Sequence, residues 1–228
     1  MQNKTKRLTQ SAMLIALAVV LEVVGRMVIP PMPFGGQLTL VSMLPIVLIS
    51  YRHGVKWGLT TGFAYSLVQM ALGADTVTAA FQPGYFGDGV MIVNAIIMCG
   101  LDYVLAYTAL GLGGLFRGKL SGGAVEPVQR KGGASLELSL GSLVALGGRY
   151  VAHILSGYIL FAGWAEWFFT QEGFPAWGAS LVESMSSAML GWTYSIVYNG
   201  MYMIPEMILT AVAAFLIAKA PKIVEKVS

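Results

Sequence analysis

An arginine and a histidine stand four residues apart inside an apolar stretch that runs from about Glu137 to Trp164, within GRYVAHILSGYILF (Gly148–Phe161). About twenty predominantly apolar residues cross the hydrocarbon core of a bilayer as a helix, and in lipid a helix or closed barrel alone satisfies its own backbone polar groups. The stretch therefore reads as a spanning helix. In that helix Arg149, His153, Gly157 and Phe161 fall at four-residue steps on one face. An ionisable side chain at bilayer depth costs roughly 2.5 to 3.5 kcal/mol or more unless it meets a partner or a wet cavity. The face carries a cation, an imidazole, a gap and a ring, and it reads as one wall of a binding cavity.

Composition points the same way. Charged residues make up 11% of the 228 residues and hydrophobic ones 56%, with a mean hydropathy of +0.71. Soluble domains carry about 25% charged residues, so this chain lacks the polar surface a soluble fold needs. Its 28 glycines suit closely packed membrane helices. Cys99, the single cysteine, has no internal disulfide partner and says nothing about compartment.

The expectation is an all-α integral membrane protein, one membrane domain over 1–228. Its six transmembrane helices fall at about 11–30, 38–50, 59–73, 90–116, 137–164 and 188–218. The first apolar run is too long for a signal-peptide core and lacks a small-x-small cleavage site, so it reads as a retained span. Segment 117–136, rich in Gly and Ser, reads as a flexible cytoplasmic linker. Basic residues collect in the N-terminal segment, around 52–56, in the linker and at Lys219, Lys222 and Lys226, while the other three loops have none. By the positive-inside rule both termini are cytoplasmic, which agrees with an even number of crossings.

Across the spans, Asp102, Arg149 and Glu206 fall near mid-depth, His153 and Asn199 about one turn farther out, and Phe161, Trp192 and Tyr194 nearer the outer surface. A carboxylate beside aromatic faces suits a flat organic cation, and His and Asn read ring nitrogens or an amino group. The structural alternative pairs Arg149 with Asp102 or Glu206 to hold the bundle together. Glu22 and Arg26, four apart in the first span, read as a self-satisfying ion pair. Tyr198 and Tyr202 read as packing residues, while Gly200 and Pro205 allow the helix around Asn199 to bend. GGLFRGKL (Gly113–Leu120) has the spacing of a phosphate-binding loop, but Leu120 stands where Ser or Thr would meet magnesium and no strand precedes it. With two distant histidines there is no metal-ligand cluster, and no nucleophile and base stand at useful spacing. The chain reads as a non-enzyme without metal or cofactor, with no role for nucleic acid.

LDYVLAYTALGLGGLF (Leu101–Phe116), GRYVAHILSG (Gly148–Gly157) and WTYSIVYNGMYMIP (Trp192–Pro205), with Pro45–Gly73, resemble the thiamine-specific S component of energy-coupling factor transporters. The resemblance implies the six-helix S-component fold, thiamine as ligand and a place in the prokaryotic cell membrane. Its partners would be a transmembrane coupling subunit and two ATPases that supply the energy. Position by position, it assigns Asp102 to the thiazolium and Tyr103 to its aromatic neighbour. Arg149, His153, Gly157 and Phe161 become the ligand-facing ladder, with Tyr194 and Asn199 as last-helix contacts. Trp192 joins this set as an outer wall, and Phe34 corresponds to an aromatic covering the site. Ala12-x-x-x-Ala16 corresponds to the small-residue pattern that docks the coupling subunit. The sequence departs from the family pattern in having Asp102 for Glu, Arg149 for Lys and Phe161 for Trp, all conservative in charge or shape. Loops 74–89 and 164–187 are longer than the pattern, and Glu206 has no counterpart in it. The rival readings are a self-sufficient proton-coupled vitamin carrier, an S component for another vitamin or thiamine precursor, and an intramembrane enzyme.

Overall fold

The computed structural model describes residues 2–30, 36–87, 91–120 and 127–224, with side chains throughout these except at 2–3, 127–132 and 221–222. Its described elements are helical, joined by turns. Helix α1 covers Gln2–Val28, α2 Leu44–His53, α3 Val55–Leu72 and α4 Ala74–Ala80. A composite helix, α5, runs over Met91–Gly114. Then come α6 (Pro127–Phe161), α7 (Ala165–Thr170), α8 (Trp177–Ser184), α9 (Ser187–Ile217) and α10 (Pro221–Val224).

Among the described residues, four stretches are long and apolar enough to cross a membrane: Lys4–Val28, Met91–Gly114, Gly133–Thr170 and Ser187–Ile217. Helix α2 spans only 10 residues, and α3, at 18, carries Thr60, Thr61, Ser66 and Gln69. The long helices are built inside out relative to a soluble protein. On α1 the apolar side chains Met13, Leu17, Val20, Val24 and Met27 are exposed, as are Met201, Ile204 and Ile208 on α9. Glu22, Arg149, His153 and Glu206 are buried. Apolar surface on this scale is what a lipid solvent accommodates.

Local chemistry sets several boundaries. Gly54, at φ 91°, takes a backbone conformation that L side chains rarely adopt and separates α2 from α3. Pro45 sits in the first turn of α2, where its missing N–H has no helical partner to lose. Ser186 caps α9 by accepting from the Met189 amide at 3.4 Å.

Packing explains where the chain can be close. Helices α6 and α9 make the broadest contact between elements, and α2 and α3 pack on the last turns of α5. There Gly58 of α3 meets Gly111 of α5, and a Cβ on Gly111 would overlap the Gly58–Leu59 backbone. Ser50 Oγ accepts from the Gly114 amide at 2.9 Å and donates to the Gly111 carbonyl, tying α2 to the same turn.

Segment 117–136 departs from the expected flexible linker. Helix α6 begins at Pro127, and residues 121–126 lie outside the described ones. Glu137 gives the reason for order on the other side. Its buried carboxylate accepts from Tyr51 OH at 2.7 Å and from the amides of Gly118 and Leu120 at 2.8 and 2.9 Å. A carboxylate that would be expensive alone in the bundle thereby binds the chain leaving α5.

Candidate binding cavity

A cavity of about 420 Å³ lies between α5, α6, α9, the C-terminal end of α1 and the segment around Thr39. That size is within the range of small-molecule sites. Asp102, Tyr103, Arg149, His153, Gly157, Phe161, Tyr194 and Asn199 all line it. These residues come from three helices widely separated in sequence, and the tertiary fold brings them to one space.

Asp102 lies in a π-helical stretch, Cys99–Leu105, within α5. Such wide turns interrupt the α-helical register and recur at functional sites. Its carboxylate meets His153 Nδ1 at 2.8 Å through one oxygen and accepts from Ser156 Oγ at 2.6 Å through the other. Its side chain stays 21% exposed, so it still presents charge to the cavity. The other ring nitrogen of His153, Nε2, is buried without a hydrogen-bond partner among the described residues. The Asp102 contact orients the imidazole and leaves Nε2 for a ligand.

Arg149 overturns the structural alternative drawn from sequence. No carboxylate lies within ion-pair distance of it among the described residues, and neither Asp102 nor Glu206 is its partner. Its guanidinium carbon sits 4.6 Å from the centroid of the Tyr107 ring. Nη2 donates to Tyr107 OH at 3.2 Å, Nη1 contacts Met43 Sδ at 2.6 Å, and Nε has no partner among the described residues. Cation–π attraction to a desolvated ring is worth about 2 kcal/mol or more. Glu206 is occupied elsewhere: it accepts from the amides of Thr39 at 2.8 Å and Val41 at 3.0 Å.

Asn199 joins α9 to α6. Its Nδ2 donates to the His153 carbonyl at 3.2 Å and the Ser195 carbonyl at 2.8 Å, and its Oδ1 accepts from Tyr202 OH at 2.6 Å. Gly157 makes room for this arrangement, since a Cβ there would run into Ser195 Oγ and Asn199 Nδ2. The Glu22–Arg26 pair forms as expected, at 3.2 Å, but also lines the cavity. Ser42 donates to Glu22 at 2.8 Å.

Aromatic side chains close the remaining wall. Tyr194 and Tyr198 pack against Phe168 of α7 at centroid distances of 5.2 and 5.9 Å. From the turn after α4, Tyr85 and Phe86 reach Phe161 at 6.3 and 5.6 Å. Tyr85 also lines the cavity, and burial, followed by the charge of Asp102, raises its phenol pKa.

Trp192 does not join the site. It is 38% exposed and stacks on Tyr158 at 4.0 Å, outside the residues that line the cavity. The reason is helical geometry: residue 192 lies two positions before Tyr194, and two steps of a helix turn a side chain by about 200°. Phe34 lies outside the described residues. Ala12 and Ala16 stand exposed on α1. Sequence reasoning passed over Ser156, Tyr107, Tyr85 and Thr39. Ser156 was accessible in principle, three residues after His153 on the same face. Tyr85 and Thr39 come from irregular backbone, which carries no period to read.

Among known proteins, residues 8–225 match the family model described as Thiamine transporter protein (Thia_YuaJ). Thiamine transporter ThiT of Bacillus subtilis (strain 168) is 32% identical over 222 residues, which cover 96% of this chain and 94% of that protein. Among solved structures, ThiT from Listeria monocytogenes superposes with a TM-score of 0.63 over 97% of this chain and 98% of that one. At 18% identity this likeness shows a shared fold.

Proposed function

This chain belongs to the thiamine transporter protein family (Thia_YuaJ), and from that premise we propose that it is the thiamine-binding S component of an energy-coupling factor importer in the cell membrane. The observation that carries the reading is a cavity in which an Asp102 carboxylate and a free His153 Nε2 face the same space, with tyrosines around them. Thiamine is a flat cation with a ring amino group. Asp102 and the aromatic faces stabilise the thiazolium charge, and His153 exchanges a hydrogen bond with the aminopyrimidine. Tyr103 and Phe161 stack against the rings, Arg149 keeps the floor polar, and Gly157 leaves space beside Asn199.

The six crossings with both termini cytoplasmic belong to this proposal, α2 and α3 supplying two short crossings. Coupling to a transmembrane subunit and two ATPases belongs to it as well. The exposure of Ala12 and Ala16 supports docking on that face of α1, where small residues allow close approach.

Calorimetric titration of the purified protein in detergent with thiamine tests the ligand. Saturable binding is expected, weakened about 10- to 150-fold by Asp102→Asn, the range for a hydrogen bond to a charged group. Absence of binding at micromolar thiamine would sink the substrate assignment. Reconstituted vesicles test the coupling: without partner subunits the chain should bind but not accumulate thiamine. Accumulation driven by a proton gradient alone would favour the self-sufficient carrier.

A further inference from the structure

We propose that this chain holds a second site, for the phosphate headgroup of an anionic phospholipid, where α1, α2 and α3 meet. The proposal rests on the chain being a membrane protein and not on its substrate. A cavity of about 460 Å³ at this junction is lined by Arg7, His53, Lys56, Trp57 and Thr60, with Gly54 and Val55, and by no Asp or Glu. It shares no lining residue with the cavity around Asp102.

Its cationic groups are held in place. The Arg7 guanidinium carbon lies 4.3 Å from the Trp57 ring centroid, and Nη2 donates to the His53 carbonyl at 3.3 Å. Trp57 is itself fixed by donating to Ser11 Oγ at 2.9 Å. Arg117 Nη1 approaches Gly54 from the other side, and Arg52 is the neighbour of His53 in the chain. The Nε atoms of Arg7, Arg52 and Arg117 are buried without partners among the described residues.

His53 supplies the independent observation. It is only 9% exposed, and both of its ring nitrogens lack a hydrogen-bond partner among the described residues. A buried imidazole whose ring N–H has no acceptor among the described residues, on the wall of a cavity that also carries the Arg7 guanidinium and Lys56, is matched by an anion with several acceptor oxygens. A phosphate diester has that chemistry, and Arg is suited to it.

The surface beyond the cavity selects a lipid over a free anion. Lys56, Thr60, Phe63 and Leu67 are spaced four, three and four residues apart along α3, on one face, and all are exposed. On α1, Met13 and Leu17 are exposed as well. A cationic head pocket that continues into apolar flanks complements a negative headgroup with acyl chains. Basic residues near a membrane surface each contribute about a fivefold preference for anionic lipid.

Native mass spectrometry of the full chain in detergent, with dioleoyl phosphatidylglycerol or dioleoyl phosphatidylcholine added, tests the site. Wild type should retain phosphatidylglycerol preferentially. Lys56→Gln, at an exposed position, should weaken retention about fivefold, and Arg7→Gln with Lys56→Gln at least about tenfold. Lys219→Gln, a cation over Phe215 away from the cavity, should leave it unchanged. An unfolding temperature in detergent like that of wild type would show that a variant is folded. Equal retention of the two lipids overturns the proposal, as does an Arg7→Gln/Lys56→Gln variant that retains phosphatidylglycerol like wild type. Binding of inorganic phosphate without any phosphatidylglycerol preference also overturns it, assigning the pocket to a free anion.

Discussion

Asp102 accepts from Ser156 and meets His153, and the two contacts differ in what they do for a ligand. Both line the cavity, but the serine hydroxyl is spent on the carboxylate, which it orients. Ser156→Ala should therefore lower thiamine affinity modestly, about 3- to 10-fold, the worth of one neutral donor. Calorimetry that finds a loss as large as that of Asp102→Asn would assign Ser156 a direct contact. Glu206, buried and not among the residues that line the cavity, has a different task. Leu40 and Val41 sit at φ 47° and 60°, and the Glu206 carboxylate holds the amides of Thr39 and Val41 on both sides of this turn. Left-handed backbone at such residues costs about 1 to 3 kcal/mol each and persists where surroundings impose it. In Glu206→Gln the amide nitrogen would face an N–H donor, for a loss of about 1 to 3 kcal/mol. The unfolding temperature in detergent should drop by several degrees. An unchanged temperature would mean that other contacts hold the turn.

At the scale of elements, the glycines decide how near α5 can come to its neighbours. A methyl on Gly141 of α6 would run into the Gly113 carbonyl of α5. Gly141→Ala should destabilise the fold by about 1 to 3 kcal/mol, as overpacking does, visible as a lower unfolding temperature. A wild-type melting curve would show that α5 yields at no expense. The four-residue ladder on α6 was legible from sequence because Arg149, His153, Gly157 and Phe161 sit in uninterrupted helix, where spacing alone sets direction. Trp192 was misplaced although its helix was recognised. Apolar stretches in membranes lack the polar face that distinguishes inside from outside in soluble helices, so the azimuth of a lone aromatic such as Trp192 was not readable. The π-helical turn around Asp102 was hidden for a related reason: it changes register within an apolar run whose composition stays the same.

The whole molecule has distinct electrostatic ends. Burial, then the charges of Arg7, Arg52 and Arg117, lowers the pKa of His53 from its ordinary 6.5 to about 4. His53 lies outside the four membrane-capable helices. Between these values the unfolded chain binds more protons than the folded one, so stability is full above about pH 6.5 and declines as pH falls through about 4. Unfolding temperatures at about pH 7.5, above this window, and at about pH 6 and 5, within it, should fall less in His53→Gln than in wild type. Parallel curves would remove His53 as the source. By itself the sequence determined that the chain is helical and apolar, where its long apolar helices lie, and which face of α6 bears chemistry, since length, hydropathy and helical period are local properties; the short helices α4, α7 and α8 fell in stretches it read as loops. It also carried the family motifs. The tertiary structure alone decided that Arg149 rests on Tyr107 and that Glu206 serves the Thr39 turn. It likewise decided that Arg7 and His53, 46 positions apart, meet at one cavity. Charge pairing inside a bundle depends on azimuth, register and irregular turns, and these follow from how the helices pack together, not from the spacing along any one of them.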